Sequence, residues 1–257
     1  MSAVENRFAT GDMEMEKQPL VEMKNIHKYF GKIRAVNGVN FKIGQAEIVG
    51  LIGDNGAGKS TLIKILSGYH RADEGEIFVE GEKVEINSPK DARKLRIETV
   101  YQDRALVDQM SVTRNIFMGR EIVKNWGFLD RNKMNEESSS ILDGMGLSIK
   151  STDADVKFLS GGEKQGVAIA RIMYFKAKLV ILDEPTMALS IKEVQRVLEF
   201  VRALKKEGIS VVFITHNLYH VYPIADRFCV MTRGKVVKDV KKENTSLDEL
   251  VEAVISG

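Results

Sequence analysis

The chain carries EIVGLIGDNGAGKSTLIKIL at residues 47–66, where a glycine-rich loop separates two apolar runs. The pattern predicts a short buried strand at residues 47–52 and a short helix at residues 59–66. The loop between them, residues 53–61, fits G-x-x-x-x-G-K-[ST] and has the strand and helix that phosphate binding requires on either side. A glycine-rich turn without a ligand is the alternative, and these flanking elements disfavour it. The sequence therefore predicts a nucleotide-binding loop.

Each residue of this loop is assigned to nucleotide binding. Its backbone N–H groups converge on phosphates, and the start of the following helix adds positive potential. Lys59 reaches the outer phosphate oxygens, and Ser60 would hold Mg²⁺. The assigned residues are Gly53, Asp54, Asn55, Gly56, Ala57, Gly58, Lys59, Ser60 and Thr61.

A second apolar strand, residues 179–182, ends in Asp183 and Glu184. Doubly wound sheets bind ligands at the carboxyl ends of their strands. In phosphoryl transfer one acid holds Mg²⁺, and a second can orient or deprotonate the attacking water. An ordinary strand exit closed by Pro185 is the alternative. The upstream phosphate loop favours the catalytic interpretation.

Residues 159–165 read LSGGEKQ and precede an apolar helical pattern. Ser160 and Glu163 fit a capping box at the start of that helix. Capping leaves Gly161 and Gly162 unexplained, because glycine in a helical turn costs about 0.5–1 kcal/mol relative to alanine. Exposed N–H groups at a helix start suit an anion, and both interpretations can hold together.

Together, these three motifs resemble the ABC (ATP-binding cassette) ATPases, and the resemblance covers residues 20–239. It implies that Asp183 is a Mg²⁺ ligand and that Glu184 is the general base. It also implies that Ser160, Gly161 and Gly162 bind the γ-phosphate of ATP held by the phosphate loop of another subunit. The chain has one such loop and one LSGGEKQ segment, so two complete sites require two copies.

The same resemblance assigns three further residues. Gln102, after a predicted strand, would touch Mg²⁺ and the attacking water; alone it would be an ordinary surface amide. His216, after the strand at residues 211–214, would contact the γ-phosphate. Phe30 would stack on adenine, with Tyr29 as the alternative.

Two other histidines, His27 and His220, gain no support from the resemblance. One departure concerns residues 187–189, which are followed by Ser190 where the family usually has an acid. Ser190 and Glu193 still fit a capping box, so the substitution bears on contacts between copies rather than on the local fold.

The predicted fold class is α/β: a P-loop NTPase core with a mostly parallel sheet, an N-terminal antiparallel β layer and an inserted α-helical lobe. We expect residues 1–18 to be a mobile tail and residues 19–257 to be a single ATPase domain. Its core would comprise residues 19–102 and 159–257, and its helical subdomain residues 103–158.

Composition excludes several other classes. Thirty-eight basic and thirty-six acidic residues give a formal charge of +2 without a long single-sign block, so nucleic acid is not expected as a partner. The one cysteine, Cys229, lies in an apolar run and is expected to be buried and inert. No apolar run approaches the roughly 20 residues of a membrane helix.

Residues 115–121 and 187–193 look like the ATPases of bacterial ribose-, galactose- and fructose-type importers. The resemblance implies ATP and Mg²⁺ as cofactors, a second copy and membrane permease subunits as partners, and a substrate-binding protein as an indirect partner. The expected location is cytoplasmic, on the inner face of the cell membrane. Alternatives are a subunit for another small solute such as a nucleoside, a soluble ABC ATPase acting on ribosomes or DNA, and a regulatory subunit that does not hydrolyse ATP.

Overall fold

The computed structural model describes residues 18–100, 106–147, 149–187 and 189–256. The strands in chain order are β1 (Val21–Phe30), β2 (Ile33–Ile43), β3 (Ile48–Ile52), β4 (Glu74–Val79), β5 (Glu82–Val84), β6 (Ile97–Val100), β7 (Leu179–Asp183), β8 (Ser210–Thr215), β9 (Arg227–Thr232) and β10 (Lys235–Lys241). The helices in chain order are α1 (Lys59–Leu66), α2 (Pro89–Lys94), α3 (Val112–Phe117), α4 (Arg131–Gly144), α5 (Gly161–Tyr174), α6 (Ile191–Lys206), α7 (Leu218–Val221) and α8 (Leu247–Ser256).

The first sheet is the predicted N-terminal antiparallel layer, with strand order β2-β1-β4-β5. Val21 on β1 aligns with Ile43 on β2 and with Val79 on β4. Alternation places Val21 and Met23 on the buried face, as expected for an antiparallel sheet with one wet side. The β1–β2 ladder is irregular after Met23, where Asn25 takes a left-handed backbone conformation with φ 49°.

The second sheet has the order β10-β9-β3-β8-β7-β6 in the described part of the chain. Neighbours from β9 to β6 are parallel, and β10 pairs antiparallel with β9. All residues of β3 and β8 are buried, as expected for central strands covered on both faces. Ile52 aligns with Thr215, and Asp183 with Ile214. The loops that follow β3, β7 and β8 therefore meet at one edge.

In the described part of the chain, three apolar clusters form the core. One joins the N-terminal layer and α1 to one face of the parallel sheet, through residues such as Val212 and Ile214. Val211 and Phe213, which alternate with them along β8, point to the opposite face and pack with α6 and α8. The third cluster joins α3, α4 and α5. Cys229 is fully buried in the first cluster, and burial raises the pKa of its thiol.

The stretch predicted to form the helical lobe contains α3 and α4, joined by a connection without helix. The described residues between these two helices form no helix. Val123 and Leu129 form an antiparallel bridge there, and the chain reverses at Trp126 and Gly127, both of which have positive φ. Sequence reasoning did not single out this turn, because the apolar periodicity that it used lies on either side of it.

Candidate functional site

The phosphate loop closes on its own lysine. Lys59 is 6% exposed, and its Nζ donates to the carbonyl oxygens of Gly53 at 2.6 Å and Asp54 at 2.9 Å. Burial lowers the pKa of Lys59, and the charges of Glu184 and Asp183 act in the opposite direction. The ammonium is thus held by two neutral acceptors. An incoming phosphate oxygen would offer a charged acceptor, which makes a stronger hydrogen bond.

The phosphate loop packs against the end of β9 and the turn between β9 and β10. Gly234 donates its backbone N–H to the carbonyl of Ala57 at 3.0 Å. A Cβ at Gly53 would lie 2.1 Å from the carbonyl oxygen of Met231, so the backbone approach requires glycine there. Gly58 is the N-cap of α1 and provides no side-chain hydrogen bond. The first N–H groups of α1 are therefore available to an anion, as at other helix starts that bind phosphate.

Asp183 ends β7 with a carboxylate suited to a cation. Its Oδ1 is buried and has no hydrogen-bond partner among the described residues. Burial is the main cause of its raised pKa, and the neighbouring charge of Glu184 adds to it. Lys64 and Lys59 oppose this shift. An orphaned buried carboxylate oxygen fits a hard divalent cation, because Mg²⁺ prefers oxygen ligands and a cation offsets the cost of the ionised form.

Glu184 is fixed to the end of β8 by its side chain and its backbone. Its Oε1 accepts from the His216 N–H at 3.1 Å and lies 2.9 Å from His216 Nδ1, and its Oε2 accepts from Thr215 Oγ1 at 3.2 Å. An ionised carboxylate can only accept, so Nδ1 of His216 carries the proton. Glu184 has φ 49°, a conformation uncommon outside glycine, and its N–H donates to Ile214 at 3.0 Å.

The start of α5 forms the capping box expected from its sequence. The Ser160 N–H donates to Glu163 Oε2 at 2.7 Å, and the Glu163 N–H donates to Ser160 Oγ at 3.3 Å. Hydrogen bonds to its carboxyl from the side chain and the backbone N–H of Ser160, in that order of size, lower the pKa of Glu163. Ser160 and Gly162 are exposed, and nothing lies within 4 Å of a Cβ built on Gly162. The segment therefore presents an open helix start to its surroundings.

Three further residues singled out from the sequence are Phe30, Ser190 and Gln102. Phe30, at the end of β1, is 44% exposed, and its ring meets His70 edge-on with a centroid distance of 5.3 Å. Ser190 caps α6 by the expected capping box with Glu193. Gln102 lies outside the described residues, two positions beyond the end of β6.

Sequence reasoning missed His220, which lies on the short helix α7. Its Nδ1 is 2.9 Å from Oγ1 of Thr186, a buried residue two positions after Glu184. The spacing of four residues from His216 was the one available signal, and it is ambiguous without the fold. His70 was also missed, because its contact with Phe30 joins segments forty residues apart.

One protein family and several transport proteins resemble this chain over most of its length. The family model described as ABC transporter matches residues 36–187. The chain is 49% identical over 237 residues to the xylose/arabinose import ATP-binding protein of Sulfolobus acidocaldarius, covering 92% of this chain and 94% of that protein. It is 39% identical over 244 residues to the fructose import ATP-binding protein of Rhizobium meliloti, covering 92% and 94%.

Ribose import ATP-binding proteins are similar over part of their length. The one from Caldanaerobacter subterraneus is 37% identical over 238 residues, which cover 93% of this chain and 48% of that protein. The chain thus spans about half the length of these ribose relatives.

Solved structures agree with the fold. An ATP-binding cassette of an ABC transporter in its ADP conformation matches with a TM-score of 0.76 and 28% identity, covering 93% of this chain and 99% of that chain. A nucleotide-free cassette matches with a TM-score of 0.73 and 26% identity, covering 93% and 96%. Within the described residues, no helix is long and apolar enough to cross a membrane. From the matched family and the edge shared by the phosphate loop, Asp183, Glu184 and His216, we conclude that this chain belongs to the ABC transporter family and is an ATPase.

Proposed function

We propose that this chain energises the import of a monosaccharide by binding and hydrolysing ATP as a head-to-tail pair with a second copy of itself. The observation that carries the proposal is the shared sheet edge, where Lys59, Asp183 and Glu184 are close enough for their charges to interact. Positioning and electrostatic stabilisation supply most of the catalysis in phosphoryl transfer. This edge offers a cation, a site for a metal and an anchored carboxylate.

The proposed roles follow from the contacts. Residues 53–61 hold the phosphates through backbone N–H groups and Lys59. Ser60 and Asp183, with Gln102, would hold Mg²⁺, which neutralises charge that develops on the phosphates. Glu184 orients and deprotonates the attacking water, and its hydrogen bonds to the end of β8 keep the carboxylate in place. His216 would contact the γ-phosphate, and its ring lies beside Glu184.

Two copies would complete each site. Ser160, Gly161 and Gly162 of one copy would meet the γ-phosphate held by the other, because one chain contributes a single phosphate loop and a single LSGGEKQ segment. Phe30, partly exposed at the end of β1, would stack on adenine. Closure of the pair on ATP and its reopening after hydrolysis would move the permease subunits, which place the chain on the cytoplasmic face of the membrane.

The monosaccharide assignment rests on the relatives, whose names specify xylose/arabinose, fructose and ribose import. Such a subunit does not itself contact the sugar, so the permease and binding protein determine the substrate. Purification of the tagged chain with a multi-span membrane protein would support the transport role. Stimulation of the complex's ATPase by a pentose-loaded or hexose-loaded binding protein would identify the sugar.

Glu184→Gln tests the catalytic assignment. We expect ATP binding to persist and turnover to fall by at least about 100-fold, the scale of lost acid–base catalysis. ATP should then trap a dimer, measured by light scattering after gel filtration. Glu207→Gln, at the far end of α6, is the control and should turn over normally. Undiminished turnover of Glu184→Gln would exclude Glu184 as the base.

A mixing experiment tests the shared site. Ser160→Arg and Lys59→Ala each disable both sites of a homodimer, whereas a mixed dimer retains one intact site. Equal mixing should therefore restore roughly a quarter of wild-type activity, since half of the dimers are mixed and each has one working site of two. Two folded, inactive variants that regain nothing on mixing would count against the head-to-tail pair.

A further inference from the structure

We propose that His220 is a positioning residue that holds the turn carrying Glu184 against the end of β8. The inference rests on the proposed role of Glu184 as the base. Glu184, Thr215, Asn217, His220 and Thr186 form a closed ring, in which side-chain and backbone hydrogen bonds make every link except one. The covalent chain from Thr186 back to Glu184 completes it.

The first part of the ring lies at the end of β8. Thr215 is fully buried, and its Oγ1 donates to Glu184 Oε2 at 3.2 Å. The same oxygen accepts the backbone N–H of Asn217 at 3.0 Å. Asn217 caps α7, because its Oδ1 accepts the N–H of Tyr219 at 3.1 Å. The carboxylate of Glu184 is thus linked to the start of α7 through the hydroxyl of Thr215.

The second part returns from α7 to the turn. Asn217 Nδ2 is 3.3 Å from His220 Nε2, and His220 Nδ1 is 2.9 Å from Thr186 Oγ1. Thr186 is 4% exposed, so its hydroxyl has little access to water as an alternative partner. Burial of a hydroxyl makes loss of its partner costly, which favours a fixed contact between the turn and α7.

The hydrogen-bond pattern assigns the imidazole tautomer. Because the oxygen of Asn217 is used by Tyr219, the amide nitrogen faces His220, and an amide nitrogen only donates. Nε2 of His220 must therefore accept, and the proton of the neutral ring is on Nδ1, where it is donated to Thr186. The imidazole therefore uses both of its nitrogens: Nε2 accepts from Asn217, and Nδ1 donates to Thr186.

The contact between His220 and Thr186 supports a turn in which Glu184 has an uncommon backbone conformation. Glu184 is in the left-handed region with φ 49°, a backbone state that persists when the surroundings over-determine it. Its own side chain fixes one side of the turn, and Thr186 fixes the other through His220. Without that second attachment, the turn is free to relax and move the carboxylate away from the attacking water. Misplacement of a reacting group by about 1 Å can cost 100-fold in rate.

The test is steady-state ATP hydrolysis by His220→Ala. We expect kcat to fall about tenfold, the lower end of the effect of losing a supporting hydrogen bond at a metal or catalytic site. KM for ATP should stay within about twofold, since His220 does not touch the phosphate loop in the proposed mode of binding. Tyr219→Ala, a 71% exposed neighbour on the same helix, is the matched control and should retain wild-type kcat and KM.

Conservative variants separate the two arms of the histidine. His220→Asn places an amide donor near the Nδ1 position toward Thr186, and His220→Gln places an amide acceptor near the Nε2 position toward Asn217. Each should recover part of kcat, and Asn should recover more because it restores the arm attached to the turn. These variants also keep the test decisive if His220→Ala melts at a lower temperature, since a purely structural role predicts that kcat per folded molecule is unchanged.

A double variant links the effect to Glu184. In a Glu184→Gln background, His220→Ala should not lower the residual rate further, because the group being positioned is no longer a base. Wild-type kcat in His220→Ala, or equal losses in both backgrounds, would overturn the inference. If Glu184→Gln itself hydrolyses ATP normally, the proposed catalytic role fails instead, so the two failures are distinguishable.

Discussion

Gly53→Ala should destabilise the nucleotide-free protein far more than Gly56→Ala, although both glycines belong to the same loop. Gly53 has φ 148° and Gly56 has φ 83°, so an alanine is strained at either position. The two sites differ in the space around a new methyl group. At Gly53 it would lie 2.1 Å from the carbonyl oxygen of Met231, whereas at Gly56 nothing lies within 4 Å.

The magnitude follows from two separate costs. A sparsely allowed backbone conformation costs about 1–3 kcal/mol in both variants. In Gly53→Ala the loop and β9 must also separate by about 1 Å to restore ordinary contact, and such overpacking costs about 1–3 kcal/mol more. The difference of about 2 kcal/mol corresponds to about 4–8 °C in Tm for a chain of this size.

Thermal unfolding followed by circular dichroism measures this difference. ATP and Mg²⁺ must be absent, because ligand binding to the folded state would add its own shift of Tm. Gly56→Ala serves as the matched control for backbone strain. If the two variants melt within about 1 °C of each other, the approach of β9 to the loop is not what requires glycine at position 53, and the packing argument fails.

Two further predictions concern charge and buried amides. Asp183→Asn should raise Tm of the metal-free protein by about 2–4 °C, or about 1 kcal/mol at this partly buried position, while abolishing hydrolysis. Because burial raises the pKa of Asp183, its ionised form costs stability as pH rises, so the gain should shrink in acid and a pH-independent gain would contradict the argument. Asn115→Ala should lower Tm by at least about 5 °C, since it strips hydrogen bonds from both backbone groups of Val107. Asn125→Ala, at an exposed position, is the control. Equal Tm values for the two variants would refute the role of the Asn115 hydrogen bonds.

Local signals explain why much of the core could be predicted. The period of the apolar runs, the glycines at residues 53–58 and the capping pairs at Ser160 and Ser190 act over a few residues, and each indicates one element or boundary. Helix α1 has the predicted bounds. Strands β3 and β7 differ from their predictions by one residue at one end, and β8 by one residue at each end. The shared edge followed because parallel strands align their carboxyl ends.

Contacts between distant segments could not be predicted in the same way. Arg120 pairs with Glu98 and lies over the ring of Phe175 at 4.1 Å, which ties the helical lobe to β6 and α5. Nothing in the local pattern around any of these residues indicates the other two. The ring through Thr186 and His220 is similar, because β8 must first bring α7 beside the turn after β7.

The capping box and the proposed phosphate site at LSGGEKQ use different groups of the same helix start. Capping occupies the N–H groups of Ser160 and Glu163 and leaves those of Gly161 and Gly162 without a side-chain acceptor among the described residues. A Cβ at Gly161 would lie 2.8 Å from the guanidinium carbon of Arg196, so a cation packs against this turn. Two N–H groups without a side-chain acceptor, a helix start and a nearby cation all favour an anion. Glycine here costs helix stability, makes room for Arg196 beside Gly161 and leaves open space at Gly162, where the proposed phosphate of a second copy would fit.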